Sequence, residues 1–407
     1  MSLFDKMFGK KVATEKGPET PAPPQEADII TALLSHVRGD LEAALSAYLN
    51  IAEKTPDYTL APFFAATIKA GMGNTAEAAE TLRSLSQQFS SAGESISRGI
   101  AMELAELLQD RAVPRVPAVA EIVVSFGDLL KKEGFLRESA VCFEIGTGLA
   151  PDNAHMLHKL GDTLHDLRIY DYAESVLQEA LKHAPHHWGA MYTYAVLLQD
   201  LGRNEEAVTY YERAVKLVPT HVSCQNNYGA ALLRVNRLDE AFTHCTLAAE
   251  LDPKAPLVKI NLGYIHSLRQ EFDAARACFT EAIALDDGLA PAYFGLAAVE
   301  NSLQGDPKRI RELYLKAIEL APSLAEAHYA LGNLLAGEGD EQALSYFSTA
   351  ERLNGNLRNL QRDFGITCLN FGRREEGLQH LRLALQQNPD DASLQEFLAK
   401  AEADNPE

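Results

Sequence analysis

Prolines recur along this chain at a fixed interval, and this interval constrains the fold more than any other feature. Pro151, Pro185, Pro219 and Pro253 are spaced 34 residues apart. Asp287 stands at the next position, and after one inserted residue the series resumes at Pro322. A period of this length is typical of stacked supersecondary units, each of which buries its apolar surface against its neighbours. The sequence therefore predicts a repeat architecture.

Small and large residues alternate within each period in a way that predicts two antiparallel helices. Small residues stand ten positions after each proline, at Gly161, Ala195, Gly229 and Gly263. Alanines follow in the second half of each period, at Ala173, Ala207, Ala241 and Ala275 and again at Ala180, Ala214, Ala248 and Ala282. Small residues let two helices approach closely, and large residues between them, such as Tyr211 and Phe279, fill the core. Proline then ends the second helix of each period. Because every period consists of two helices, the predicted fold class is all-α.

These spacings resemble the tetratricopeptide repeat family, whose units are helix–turn–helix repeats of about 34 residues. The resemblance implies a right-handed superhelical solenoid of antiparallel helix pairs, with about ten repeats and a break near residues 93–119. Eight consecutive repeats cover residues 120–391, and two degenerate repeats cover residues 25–92. The sixth of the eight departs most from the pattern, because Ile310 replaces a small residue and residues 304–307 lengthen its inner turn.

Three further segments flank or interrupt the predicted repeats. Residues 1–24 are predicted to be a flexible tail with a short amphipathic peptide, and residues 392–407 a cap helix and C-terminal tail. Residues 93–119 contain one extra helix and a linker with Pro114 and Pro117. Because two prolines interrupt a helix, this segment either bends the solenoid or is a third, degenerate repeat packed in line.

Composition limits the classes of function. The chain has 407 residues and a formal net charge of −20, so it repels nucleic-acid phosphate and anionic lipid. Its five cysteines are widely spaced, with no CxxC pair, which disfavours a disulfide framework or a cysteine zinc site. Such cysteines indicate a reducing compartment. We expect a cytoplasmic protein that needs no cofactor and, lacking a run of 18 apolar residues, does not span a membrane.

The sequence contains none of the common catalytic motifs. There is no GxGxxG, no GxxxxGKS/T, no HExxH and no GxSxG, so the phosphate-binding, metalloprotease and hydrolase patterns are missing. We therefore predict a non-enzymatic scaffold whose partners are other proteins and not nucleic acid.

The family resemblance implies that the first helix of each repeat lines a concave groove, which takes a peptide or helix of a partner protein. Asparagine carries both a donor and an acceptor for a peptide backbone, and aromatic residues often anchor interfaces. The alternatives are that some aromatic residues belong to the core and that the asparagines make local turn contacts. The predicted groove residues are His155, His158, Asp162, Tyr192, Asn226, Asn227, Ile260, Asn261, Tyr264, Phe294, Tyr329 and Asn333.

The histidines allow two interpretations. His155, His158 and His165 fall on one helix face, and His186, His187 and His221 stand at turns near the same groove. Imidazoles three residues apart on a helix can share a metal ion. A polar groove surface that touches a partner is the favoured interpretation, so no metal site is predicted.

The N-terminal peptide suggests a second mode of docking. Leu3, Phe4, Met7 and Phe8 form one helical stripe among lysines. Such a peptide ahead of a tether predicts weak contact with a membrane surface or with a groove, including that of another copy. The alternative function is therefore a self-assembling homo-oligomer or a membrane-peripheral adaptor. The remaining alternative is an unstructured start with incidental apolar residues.

Overall fold

The computed structural model describes residues 32, 41–54, 60–72, 74–88, 115–132 and 134–403. These residues form twenty helices and no strand, and consecutive helices pack against each other in pairs. The predicted all-α helical repeat is therefore confirmed. The chain divides into two compact units, Met1–Val218 and Pro219–Glu407, which are called unit 1 and unit 2.

Unit 1 has nine helices among its described residues. They are α1 Leu41–Lys54, α2 Leu60–Gly71, α3 Thr75–Gln88, α4 Arg115–Lys132, α5 Leu136–Leu149, α6 Ala154–Asp166, α7 Tyr170–His183, α8 Trp188–Asp200 and α9 Asn204–Leu217. The pairs α4/α5, α6/α7 and α8/α9 are in contact, and they correspond to the first three repeats of the predicted block of eight.

The N-terminal helices share a hydrophobic core with the pair α4/α5. Tyr48 of α1 and Phe64 of α2 are buried, with ring centroids 5.4 Å apart. The same core includes Val123 of α4 and Cys142 of α5, and α2 contacts α5. Burial of apolar surface therefore ties α1–α3 to the repeat block. The extra helix predicted at Ser95–Gln109 lies outside the described residues.

Helix α4 begins earlier than the sequence predicts. The predicted proline linker extends to residue 119, but the helix starts at Arg115. Pro117 is the third helical residue, in the turn whose N–H groups have no intrahelical acceptor. Its missing N–H therefore removes no hydrogen bond, and the ring is tolerated. That part of the predicted linker is wrong.

Unit 2 has eleven helices among its described residues. They are α10 Val222–Arg234, α11 Leu238–Leu251, α12 Pro256–Leu268, α13 Phe272–Leu285, α14 Ala290–Ser302, α15 Pro307–Leu320, α16 Ala325–Gly337, α17 Gln342–Asn354, α18 Leu360–Asn370, α19 Arg374–Gln387 and α20 Ala392–Ala403. Residues 303–306 join α14 to α15, one residue more than the 269–271 connection between α12 and α13. The Asp306 side chain accepts a hydrogen bond from the Lys308 amide at 3.0 Å and so caps α15.

Close approach of paired helices depends on the predicted small residues. A Cβ placed on Gly263 would lie 2.7 Å from Phe279 Cε1, and one placed on Gly295 would lie 2.4 Å from the same atom. Phe279 is fully buried, as are Ala275 and Ala282 on the same helix. A larger residue at either glycine would displace the ring that fills this part of the core.

Candidate partner-binding surface

First helices of neighbouring pairs contact each other inside each unit. In unit 1, α6 contacts α8, while in unit 2 the contacting helices are α10 with α12, α12 with α14, and α16 with α18. The surface carried by α4, α6 and α8 is called the unit 1 face. The surface carried by α10, α12, α14, α16 and α18 is called the unit 2 face.

Charged side chains on the unit 1 face pair with each other across neighbouring helices. Lys131 on α4 lies 2.5 Å from Asp162 Oδ2 and 2.8 Å from Asp166 Oδ2, both on α6. Lys159 Nζ on α6 reaches back to Asp128 Oδ1 at 2.5 Å. Burial acts to lower the pKa of Lys131, but the two carboxylates outweigh it and the pKa is raised. Asp162, a predicted groove residue, therefore already has a cationic partner within the chain.

His165 belongs to this ionic network and not to the other histidines of α6. Its Nε2 lies 2.9 Å from Asp200 Oδ2, and its Nδ1 lies 3.8 Å from Asp166 Oδ1. The Asp166 carboxylate raises the pKa of His165 against the effect of burial, and Asp200 acts in the same direction. His165 therefore pairs with aspartates rather than with the other two histidines of its helix face.

His187 takes the place of His165 beside the other two histidines. The ring centroids of His155 and His158 are 6.5 Å apart, and those of His158 and His187 are 5.0 Å apart. Each of the three rings offers a nitrogen atom, and these three nitrogens all lie within 4.8 Å of one another. Burial lowers the pKa of His158 to about 4, with His187 and His155 acting in the same direction and Asp162 against it. The three rings therefore form a compact group, and the ring of His158 is neutral near physiological pH.

Side-chain amides on the unit 2 face form a hydrogen-bonded chain. Asn226 Nδ2 on α10 donates to Asn227 Oδ1 at 3.3 Å, and Asn226 Oδ1 accepts from Asn261 Nδ2 on α12 at 2.9 Å. Asn226 is only 6% exposed, whereas Asn227 and Asn261 are half-buried. The buried amide thus fixes the orientation of two amides that keep an edge at the surface.

Aromatic residues on the unit 2 face pack against aromatic residues of the second helices. Tyr264 packs edge-on against Phe279 at 5.2 Å and donates its hydroxyl to the Pro291 carbonyl at 3.1 Å. Phe294 lies 6.0 Å from Tyr314 between ring centroids. Burial raises the pKa of Tyr264 to about 12, with Glu326 contributing less, so its phenol remains a neutral donor.

The pair Tyr329 and Asn333 lies further along the same face. Tyr329 donates its hydroxyl to Asp363 Oδ2 at 2.5 Å, and its ring packs 6.1 Å from that of Phe347. Burial, followed by the bond to Asp363, raises the pKa of Tyr329 to about 12. Asn333 is exposed one turn away. Tyr329 is therefore held in place while part of its ring remains accessible.

Two predicted groove residues pack against the interior, and one of them belongs to the core. Ile260 is 4% exposed and belongs to the hydrophobic core around Phe279 and Leu296, so it offers a partner almost no surface. Tyr192 of unit 1 is half-buried and packs edge-on against Tyr211, 5.9 Å away. The alternative in which part of the apolar patch belongs to the core therefore applies to Ile260.

Sequence reasoning missed two buried polar residues that organise these faces. Thr193 Oγ1 lies 3.1 Å from His158 Nε2 and donates to Asp162 Oδ1 at 3.2 Å. Gln225 Nε2 donates to the Pro219 carbonyl at 2.7 Å, and its Oε1 lies 2.7 Å from His244 Nδ1. Polar side chains at apolar positions of a first helix are the sequence signal that would have identified both.

The predicted docking stripe Leu3, Phe4, Met7 and Phe8 lies outside the described residues. Within the part of the chain that the structure describes, no helix combines the length and the apolar character needed to cross a membrane.

The fold and its faces define a helical-repeat protein, and comparison with known proteins gives the repeat class. Residues 158–221 and 192–256 match one tetratricopeptide repeat model, and residues 258–288 match a second. A tetratricopeptide repeat protein from Parabacteroides merdae ATCC 43184 is 16% identical, with a TM-score of 0.51 over 61% of this chain and 99% of that one. The chain therefore contains tetratricopeptide repeats over residues 158–256 and 258–288.

Other solved structures share shorter stretches of the repeat. PilF of Pseudomonas aeruginosa is 20% identical, covering 52% of this chain and 96% of its own, with a TM-score of 0.44. YrrB, described as a repeat protein of this class with an unusual peptide-binding site, is 24% identical over 47% of this chain and 97% of its own, with a TM-score of 0.36. No curated protein sequence matches this chain.

Proposed function

We propose that this protein is a non-enzymatic interaction scaffold whose unit 2 face binds an extended segment or helix of a partner protein. The observation that carries this proposal is the amide chain Asn227–Asn226–Asn261, which holds two half-buried amides in fixed orientation across α10 and α12. A side-chain amide pairs with a peptide group as donor and as acceptor. Amides held before binding lose little conformational freedom when a partner arrives.

Apolar contact area lies on the same helix as Asn261. Tyr264 follows Asn261 by three residues and is half-buried with its hydroxyl already bonded. Leu257, one turn before Asn261, is 56% exposed. A fixed aromatic ring offers large contact area at low entropic cost. The unit 2 face therefore combines backbone-pairing groups with apolar anchors, as peptide recognition requires.

The unit 1 face is the weaker candidate for the same partner. Its lysines and aspartates are paired across helices, so a ligand would have to compete with existing ion pairs. On the unit 2 face the fixed amides and rings remain partly accessible, and the partner displaces water instead.

Photo-crosslinking at matched leucines tests the proposal. A benzophenone amino acid replaces Leu257 on a first helix or, as control, Leu285 on a second helix, which is 39% exposed. We expect a crosslinked protein partner from position 257 only, and we expect the double change Asn227→Ala and Asn261→Ala to reduce its yield several-fold. Equal crosslinking from both positions, or a yield unaffected by the double change, would contradict the proposal. A crosslinked product of twice 44.5 kDa identifies a second copy of the chain.

A further inference from the structure

The group His155, His158 and His187 has the composition of a metal-binding site. His155 and His158 stand one turn apart on α6, and His187 immediately precedes α8. The three residues offer nitrogen atoms that all lie within 4.8 Å of one another. In a tetrahedral zinc site with bonds of about 2.0–2.1 Å, ligand nitrogens are roughly 3.4 Å apart. Because His155 is exposed, its ring has the freedom to close this difference.

The hydrogen bonds of His158 prepare one of its nitrogens to be a ligand. Thr193 donates its only hydroxyl hydrogen to Asp162, so its oxygen accepts from His158 Nε2, 3.1 Å away. The ring proton of neutral His158 is therefore on Nε2, and Nδ1 carries the lone pair. Nδ1 is buried and has no hydrogen-bond partner among the described residues. An unpaired buried acceptor is unfavourable, and coordination would satisfy it.

The contact from His158 through Thr193 to Asp162 also matches the surroundings of metal-bound histidines. Such histidines usually donate their second N–H to a carboxylate, a backbone carbonyl or water, which fixes the ring and raises its basicity. Here the Thr193 hydroxyl takes that place. Asp162 supplies negative charge at the end of this chain of contacts. The half-buried ring of His158 is therefore oriented before any ion binds.

His187 has a competing role that coordination would end. Its Nδ1 accepts the Ala190 N–H at 3.0 Å and caps α8. A neutral ring in this state carries its proton on Nε2, so coordination through either nitrogen requires Nδ1 to give up the cap. The cap is exchanged for a coordinate bond, and this exchange separates the two roles of His187 experimentally.

We propose that His155, His158 and His187 bind a divalent ion of the zinc class through three imidazole ligands, with water in the fourth position. Imidazole ligands suit zinc, nickel and copper, whereas magnesium and calcium require carboxylate or carbonyl oxygens. Three protein ligands with one open position is an arrangement that zinc commonly adopts. The site lies in unit 1 and is independent of the partner surface proposed on the unit 2 face.

Calorimetric titration of the full-length protein with zinc chloride near neutral pH tests this site. We expect one saturable zinc ion per chain with micromolar or tighter affinity. His155→Ala and His187→Asn should each weaken binding roughly tenfold or more, because each removes one of three ligands. Asparagine is a good helix cap, so His187→Asn keeps α8 capped. His158→Gln should have the same effect, with circular dichroism showing whether the variant folds.

His186→Ala is the matched control, since it removes an exposed imidazole next to His187 and should leave zinc affinity unchanged. The chain has twelve histidines and five cysteines, so binding alone does not identify the site. Three results would overturn the proposal: no saturable binding, undiminished binding in the double variant His155→Ala with His187→Asn, or an equal loss in His186→Ala. Thermal melts provide a second readout, because zinc should raise the melting temperature of the wild type more than that of His187→Asn at the same zinc concentration.

Discussion

The unit 1 face and the unit 2 face are built on the same helix-pair scaffold and differ in chemistry. On the unit 1 face, Lys131, Lys159 and three aspartates neutralise each other across α4 and α6. On the unit 2 face, hydrogen-bonded amides lie beside half-buried aromatic rings. The charges on the unit 1 face are paired with each other. The unit 2 face presents hydrogen-bond donors and acceptors of fixed orientation together with apolar surface.

This difference is tolerated because the scaffold depends on other residues. Phe279, Ala275 and Gly263 form the interior of their helix pair, whereas the side chains of the two faces project from first helices. Face residues therefore vary without changing how helices pair, and the function of such a protein is determined at its faces and not by the fold.

The largest expected effect concerns the scaffold beneath the unit 2 face. Phe279→Ala removes the ring that fills the space between Gly263 and Gly295, so we expect a loss of about 3–5 kcal/mol in the free energy of unfolding. Urea denaturation measures this loss, and hydrogen exchange should accelerate first in α12–α14. Leu177→Ala, the equivalent change beneath the unit 1 face, should accelerate exchange in α6 and α7 instead. Uniform acceleration in both variants would show that the two faces are not supported separately.

A smaller effect is expected from the amide chain itself. Asn226→Ala removes the partner of Asn227 Oδ1 and of Asn261 Nδ2, which should cost about 1–3 kcal/mol of stability because half-buried polar groups lose their bonds. Asn333→Ala, at an exposed position of the same face, should change stability by less than about 0.5 kcal/mol. Thermal denaturation compares the two, and equal losses would mean that the chain of amides is not preorganised.

The smallest effect is the pH dependence of two histidines, which should have opposite signs in the two units. The Asp166 carboxylate raises the pKa of His165 in unit 1. Its stabilising contribution is therefore complete below the unfolded pKa of about 6.5 and is lost as pH rises through the raised value. Burial lowers the pKa of His380 in unit 2, although Glu351 and Glu376 oppose this. Its contribution is present above about 6.5 and is lost as pH falls through the lowered value.

Melting temperatures of His165→Gln and His380→Gln against the wild type across this pH range test the contrast. His165→Gln should be most damaging at acid pH and His380→Gln at alkaline pH, with pH-dependent parts each below about 1 kcal/mol. Parallel pH profiles would contradict the assignment of opposite shifts.

The 34-residue period was enough to predict the helix pairs and their small and large packing positions, whereas the choice of first helices as the faces came from the family resemblance. Because Pro151 and its equivalents end one helix and Gly161 and its equivalents admit another, these features follow from local chemistry repeated along the chain. The insertion in the sixth repeat was also predictable, since it lengthens only the connection at residues 303–306. The start of α4 at Arg115 was not, because Pro117 is tolerated in a first turn.

Only the tertiary structure decided which side chains meet between repeats. His158 meets Thr193, His165 meets Asp200 and Asn226 meets Asn261, each pair 35 residues apart. These contacts depend on the rotation and rise between neighbouring helix pairs, which a one-dimensional pattern does not contain. The sequence by itself thus determined a repeat with a face of histidines and asparagines. The three-dimensional packing replaced His165 by His187 in the histidine group and buried Ile260 and Asn226. In each case the neighbouring helix pair, and not the chain position, determines what the side chain contacts.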